Sequence, residues 1–236
     1  MDLSLNEAEA LSKKAARGAG FSWGMAEDCA QATRWLCRHD IDGCAYLAKL
    51  LAIIDSPGHG LQPLPTAIAQ WSNLAPSRFD EFYYCPIVVG TRLIDSCPDI
   101  AQTESIIRLQ RVATPELLMC FVSAMARRLD TMICMQLADV NVAITDGTRL
   151  AFLQDSQAQL VGIQRKEPVP DELILQLRFT PSPSQQATLA ENKLQHRAYT
   201  QAKTLKILND FASRSYAPAT SSSRLVGAGA GLLDND

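Results

Sequence analysis

The chain has 236 residues, a net charge of −3 and 47% hydrophobic residues, enough to bury the core of one large domain or two small ones. With 22 basic and 25 acidic side chains, it lacks the basic excess of proteins that bind nucleic acid or anionic membranes. The N-terminus shows no signal segment, and the apolar runs are too short or too interrupted for a membrane span. The sequence therefore predicts a soluble, cytoplasmic protein.

Three helices are predicted at the N-terminus. Ser4 and Glu7 form a capping box that starts the first helix, and Gly18–Gly20 ends it. Ser22 is expected to cap a second helix, and a third is predicted over Cys44–Ile54. The apolar face of the second helix would carry Ala26, Cys29, Ala30, Thr33, Leu36 and Cys37.

The middle of the chain has more breaks. Residues 55–65 are rich in glycine and proline and predict a loop, followed by a short helix over Thr66–Trp71 and an irregular stretch to Tyr84. Cys85–Gly90 looks like a buried strand, and Ile106–Val112 alternates apolar and polar residues as a half-buried strand does.

The remaining elements are mainly strands. Thr114 is expected to cap a helix that continues to about Leu129, and Asp146–Gly147 is a hairpin signal. A long last helix is predicted over residues 184–213. The predicted strands of this part are Met132–Ile144, Thr148–Leu153, Gln159–Arg165 and Glu172–Phe179.

This order of elements favours an α+β fold, with an N-terminal helical segment packed on a mainly antiparallel sheet, a long C-terminal helix and a Gly-rich tail. We expect a helical subdomain at residues 1–72, a subdomain of sheet and helices at 73–215, and a docking tail at 216–236.

Seven cysteines lie between Cys29 and Cys134. Their number is odd and no Cys-x-x-Cys pair occurs, so neither a disulfide framework nor a zinc site is indicated. We expect reduced thiols that serve as small core residues. No metal site is predicted, because the acidic clusters at Asp139–Asn141 and Asp234–Asp236 offer too few ligands for a cation. No cofactor is predicted either.

The C-terminal tail is the most distinctive segment. Its glycines and Arg224 would form a cradle for an anion, although the spacing is neither a Rossmann fingerprint nor a P-loop. The alternative is terminal disorder, for which this composition is typical. The candidate binding residues of the tail are Ser222, Ser223, Arg224, Gly227, Gly229, Gly231 and Asp234.

A second candidate site begins at Ser22. Its hydroxyl and the N–H groups of the helix start would face an anion, with Trp23 as a flat wall and Arg34 farther along the helix. Packing roles for these residues are an equal alternative. Candidate catalytic residues are Glu27, as an acid or base in a dry pocket, His59 on a loop, and Cys85. The apolar neighbours of Cys85 favour a core role, since they raise its thiol pKa.

Both ends of the chain resemble the bacterial domain of unknown function 3726 family. The residues that carry this resemblance are Leu5–Leu11, Lys13–Gly24, Ala26–Glu27, Ala32–Leu36, Tyr216–Thr220, Ser223–Arg224, Gly227–Leu232 and Asp234–Asp236. The resemblance implies no particular reaction, but it implies that the tail docks on the protein.

Residues 3–54 show a fainter similarity to the malate/L-lactate and sulfolactate dehydrogenase family, through apolar positions, Gly20 and Gly43. That family has a Ser-His-Gly after the second helix. The corresponding Gly43–Tyr46 contains no histidine, so nicotinamide chemistry is not predicted.

Two hypotheses about function follow. In the first, the protein binds a small carboxylated metabolite, as a hydrolase, isomerase or lyase whose pocket is closed by the tail; Arg224 would bind the carboxylate. In the second, the protein is a non-catalytic subunit, for example a homodimer, whose tail and last helix dock on a neighbouring chain.

Overall fold

The computed structural model describes residues 1–57, 60–62, 82–103, 106–137, 141–153, 172–191 and 193–215. Helices pack against a mainly antiparallel sheet in these residues, which confirms the predicted α+β fold. No helix within the described ranges has both the length and the apolar character needed to cross a membrane.

The N-terminal helices form as predicted. A short strand β1 (Asp2–Ser4) leads into α1 (Leu5–Gly18) through the Ser4 and Glu7 capping box, in which each side chain accepts the other residue's backbone N–H. Helices α2 (Trp23–Arg38) and α3 (Gly43–Asp55) follow. All the residues predicted for the apolar face of α2 are buried.

One sheet occupies the second half of the chain. Its strands are β4 (Ile106–Gln110), β5 (Ile133–Leu137), β6 (Asn141–Thr145), β7 (Leu150–Leu153) and β8 (Glu172–Leu177). Their order is β4-β8-β5-β6-β7, and every neighbouring pair is antiparallel. The predicted hairpin at Asp146–Gly147 joins β6 to β7. Leu175 belongs to the main core and Ile174 to a smaller cluster, so both faces of the sheet are covered.

The predicted strand over Cys85–Gly90 is wrong. This segment begins α4 (Pro86–Asp95), because Pro86 stands at the first helical turn, where its fixed φ and missing N–H fit a helix. A short apolar run does not distinguish a buried strand from a buried helix. The helix becomes apparent only beyond the apolar run, where Leu93 is buried together with Val89, four residues before it. A further helix, α5 (Cys97–Thr103), was not predicted.

Two segments predicted as loop and irregular chain contain short strands. β2 (Gly60–Gln62) pairs in parallel with β3 (Phe82–Tyr84). The two strands are far apart in the sequence, so no local sequence pattern predicts that they pair. The predicted helix over Thr66–Trp71 and strand over Gln159–Arg165 lie outside the described residues.

Thr114 does not cap the helix that follows it. Its φ of 39° is left-handed, and its side chain makes no capping hydrogen bond. The helix itself is present as a 3₁₀ turn (Pro115–Leu118) that continues into α6 (Met119–Arg128). Helix α6 packs against the sheet.

The single long helix predicted over residues 184–213 is also wrong. The chain forms α7 (Pro183–Ala190), β9 (Arg197–Tyr199) and α8 (Ala202–Ser213). β9 pairs with β1, and α8 packs against α1 and α3, so the end of the described chain returns to the N-terminal helices. The division at residues 72 and 215 stays a prediction.

Candidate functional site

The structure describes five of the residues selected from the sequence: Ser22, Trp23, Glu27, Arg34 and Cys85. The other selected residues lie outside the described ones: His59, Ser222, Ser223, Arg224, Gly227, Gly229, Gly231 and Asp234.

The turn between α1 and α2 places Trp23 at the surface. Gly20 adopts a φ of 97°, a conformation that favours glycine, and the turn directs Phe21 into the core. Ser22 caps α2, and its Oγ accepts the N–H of Met25 at 3.3 Å. Trp23 follows as the first residue of α2 and is 66% exposed. The Ser22 hydroxyl is therefore used by the helix itself.

Trp23 lies at the edge of a groove of about 620 Å³ between α1 and the end of α8. The described residues that line it are Ala10, Lys13, Lys14, Arg17, Trp23, Arg214 and Ser215. Four of these are basic and none is acidic. The α1 residues share one face because their spacing is three to four residues, the repeat of a helix.

Arg17 is held at one side of the groove by two contacts. One of its terminal nitrogens donates a hydrogen bond to the Phe21 carbonyl oxygen, and its Cζ lies 4.4 Å from the centre of the Trp23 ring. A guanidinium at this distance makes a favourable cation–π contact. The Lys13 Nζ lies 5.8 Å from the centre of the same ring. It also donates a hydrogen bond to the Glu27 Oε1 at 2.6 Å.

Arg214 supplies the opposite side of the groove. It forms a two-pronged ion pair with Asp55 at the end of α3, with N–O distances of 2.6 and 2.9 Å. The hydrogen bond from Arg214 lowers the pKa of Asp55. The Arg214 Cζ also lies 4.3 Å from the centre of the Phe211 ring. These contacts hold the guanidinium at the surface beside α1.

Two candidates have other partners. Glu27 lies at the surface beside Lys13 with 55% of its side chain exposed, so the described residues do not provide the dry pocket that its catalytic role requires. Arg34 donates to Asn6 Oδ1 and, at 2.7 Å, to Glu9 Oε2. It joins α2 to α1 and does not line the groove.

Cys85 is a core residue. It lies at the start of α4 with 3% of its surface exposed, and burial raises the pKa of its thiol. A thiol in this state is a poor nucleophile at neutral pH. All seven cysteines are unpaired, and six of them are buried, which confirms their predicted place as small core residues.

We expect iodoacetamide to label the native protein slowly at pH 8 and all seven thiols rapidly in denaturant, because only the accessible thiolate reacts. Burial raises the pKa of the Cys120 thiol to about 12, but Cys120 alone of the seven is partly exposed and should react before the six buried thiols. Mass spectrometry of the alkylated peptides measures the order. Rapid labelling of Cys85 in the folded protein would contradict its assignment to the core.

A second polar site lies beside α3 and was not predicted as functional. Glu116 Oε2 and Thr114 Oγ1 are buried and have no hydrogen-bond partner in the described part of the chain. Burial raises the pKa of Glu116, which Lys49 partly opposes, and burial together with Glu116 raises the pKa of Tyr46. A carboxyl group in such surroundings keeps its proton to a higher pH than an exposed one does.

The comparisons with known proteins agree with the N-terminal resemblance. Residues 3–78 match the model of a family described as protein of unknown function (DUF3726). The match covers about a third of the 236-residue chain. No curated protein and no solved structure matches the chain, and the similarity to the malate/L-lactate and sulfolactate dehydrogenase family is not found.

Only part of the groove lining comes from residues 3–78, which match the family model. Lys13, Lys14, Arg17 and Trp23 lie within residues 3–78, whereas Arg214 and Ser215 come from the far end of the described chain. The sequence signal for the first group is the helical spacing of the basic residues. The second group has no such signal, because it depends on the packing of α8 against α1.

Proposed function

We propose that the protein binds a small anionic metabolite, carrying a carboxylate or phosphate group, in the groove between α1 and the end of α8. The observation that carries this proposal is the set of four basic side chains around one concave surface of about 620 Å³. This volume lies within the range of small-molecule sites. Of the described residues that the sequence selected for an anion site, Trp23 alone lines this groove.

The basic residues have complementary roles in this proposal. Two N–H groups of Arg214 bind Asp55, and the guanidinium has further N–H donors that suit a carboxylate or phosphate. Lys14 adds a compact positive charge from α1. Arg17 is already fixed by the Phe21 carbonyl and Trp23, so its charge is positioned before the ligand binds.

Catalysis and closure of the site by the tail remain predictions, as does the alternative of a non-catalytic subunit. A cytoplasmic location is also a proposal, supported by the seven reduced thiols, because thiols stay reduced in that compartment.

The double variant Lys14→Gln/Arg214→Gln tests the proposal. We expect citrate and inorganic pyrophosphate to bind the unmodified protein at low salt, and the double variant to lose at least about tenfold in affinity, equal to about 1.4 kcal/mol. Titration calorimetry measures the affinity. Because only ligands of the folded state stabilise it, the anions should also raise the melting temperature.

Lys203→Gln is the matched control. It removes one positive charge, where the double variant removes two, from an exposed position on α8 outside the groove lining, and it should leave the affinity unchanged. Absence of binding by both anions, or an equal loss of affinity in Lys203→Gln, would show that the groove is not the site.

A further inference from the structure

The exposure of Trp23 indicates more than anion binding. The other aromatic side chains beside this groove pack against the protein: Phe21 and Phe211 are buried, whereas Trp23 is 66% exposed. An exposed tryptophan leaves a large apolar surface in water, and burial of such a surface favours binding. Its place on the wall of a basic groove points to a ligand with both a flat apolar part and a negative charge.

Much of the Trp23 side chain remains accessible although two cations lie near its ring. The Arg17 Cζ lies 4.4 Å and the Lys13 Nζ 5.8 Å from the ring centre, yet Trp23 is 66% exposed. The exposed part of the indole can therefore stack against a planar ring.

The size and charge of the groove fit the rest of such a ligand. Its volume of about 620 Å³ is more than a simple carboxylate or phosphate needs. Lys14 and Arg214 line the same groove and are the residue types that bind phosphate. The net charge of −3 opposes the binding of a long polyanion, which favours a single nucleotide over a nucleic acid.

We infer that the ligand is a nucleoside phosphate, whose base stacks on the exposed part of Trp23 and whose phosphate is bound by Lys14 and Arg214. This inference rests on the proposed function, because the phosphate uses the same basic residues. It adds to the proposed function a planar base bound to Trp23, which binding of a carboxylate or phosphate alone would not involve.

The experiment compares three probes by titration calorimetry: AMP, ribose 5-phosphate, which lacks the base, and adenosine, which lacks the phosphate. We expect AMP to bind at least about tenfold more tightly than either part, since stacking of one base contributes at this level. Trp23→Ala should weaken AMP binding about tenfold and leave ribose 5-phosphate binding unchanged. Trp23→Phe should keep part of the affinity for AMP.

Tyr199→Ala is the control for the loss of an exposed aromatic residue. Tyr199 is 58% exposed on β9 and does not line the groove, so its substitution should leave AMP binding intact. Circular dichroism of each variant confirms that the fold is retained, as expected for substitutions at the surface.

The outcomes separate this inference from the proposed function. If AMP and ribose 5-phosphate bind equally and Trp23→Ala weakens neither, the nucleoside part is wrong and the anion site stands. If adenosine binds as tightly as AMP, the phosphate contacts are wrong. If citrate or pyrophosphate binds and AMP does not, the inference is overturned alone. If no anion binds at all, the proposed function fails as well.

Discussion

Replacement of Gly18 by alanine is expected to lower the free energy of unfolding by about 3 kcal/mol, the upper range for overpacking of a tight contact. A Cβ atom on Gly18 would lie 1.8 Å from the Phe211 carbonyl oxygen and 2.7 Å from the Phe211 carbonyl carbon. Both are backbone atoms of α8 and cannot rotate away as a side chain does. The two helices would have to separate.

Gly24→Ala provides the matched control. Gly24 is also helical, but a Cβ atom there would have no neighbour within 4 Å. Since alanine favours helix more than glycine does, this variant should gain about 0.5 kcal/mol. Urea unfolding monitored by circular dichroism gives both values. A loss of less than about 1 kcal/mol in Gly18→Ala would contradict the close packing of α1 on α8.

Gly18→Ala also tests whether the groove depends on the packing of α8 against α1. Arg214 follows Phe211 by three residues, and its Cβ would lie 3.4 Å from the new methyl group. Separation of α8 from α1 would therefore move Arg214 away from Lys14. At temperatures where Gly18→Ala is still folded, we expect its affinity for pyrophosphate to fall together with its stability.

The local signals of the N-terminal helices were sufficient to predict them. Ser4 and Glu7 form a complete capping box, and Gly20 has the positive φ that ends such a helix readily. Each of these signals acts over a few residues. The same is true of the Asp146–Gly147 hairpin, which joins two strands that are adjacent in the chain.

Contacts between distant segments were not predicted. β9 forms because Arg197–Tyr199 pairs with Asp2–Ser4 at the other end of the chain, and this pairing interrupts what looked like one helix. Arg214 reaches the groove only because α8 packs on α1. The sequence singled out Trp23 beside Gly20 and Ser22, whereas Arg214 joins the basic residues of α1 only through tertiary packing.

Glu116 was missed for a related reason. The sequence gives Glu116 an ordinary place in the first turn of a helix, where an acid interacts favourably with the helix dipole. Its burial depends on the elements that surround the 3₁₀ turn, including α2, α3, α4 and α6. The unpaired Oε2 atom and the left-handed Thr114 are visible only in the folded chain. Such unsatisfied or strained groups occur preferentially at functional sites.

Glu116→Gln is expected to raise the free energy of unfolding at pH 8 by about 1 kcal/mol and to change it little at pH 4. Burial raises the pKa of Glu116 above its ordinary value of 4.5. At a pH between the ordinary pKa and the raised pKa, the folded chain holds more protons than the unfolded chain. The free energy of unfolding therefore falls as the pH rises through this window. Above the window the buried carboxylate destabilises the fold, and glutamine removes that charge.

Two further variants assign the pH dependence to this carboxyl group. Lys49 lowers the pKa of Glu116, so Lys49→Met should extend the loss of stability to higher pH, and the addition of Glu116→Gln should abolish that extension. Glu191→Gln makes the same chemical change at an exposed position and should not alter the profile. Urea unfolding at intervals from pH 4 to pH 8 provides the measurement. An equal gain for Glu116→Gln at both ends of this range would mean that the gain does not come from ionisation of Glu116, and it would contradict the raised pKa.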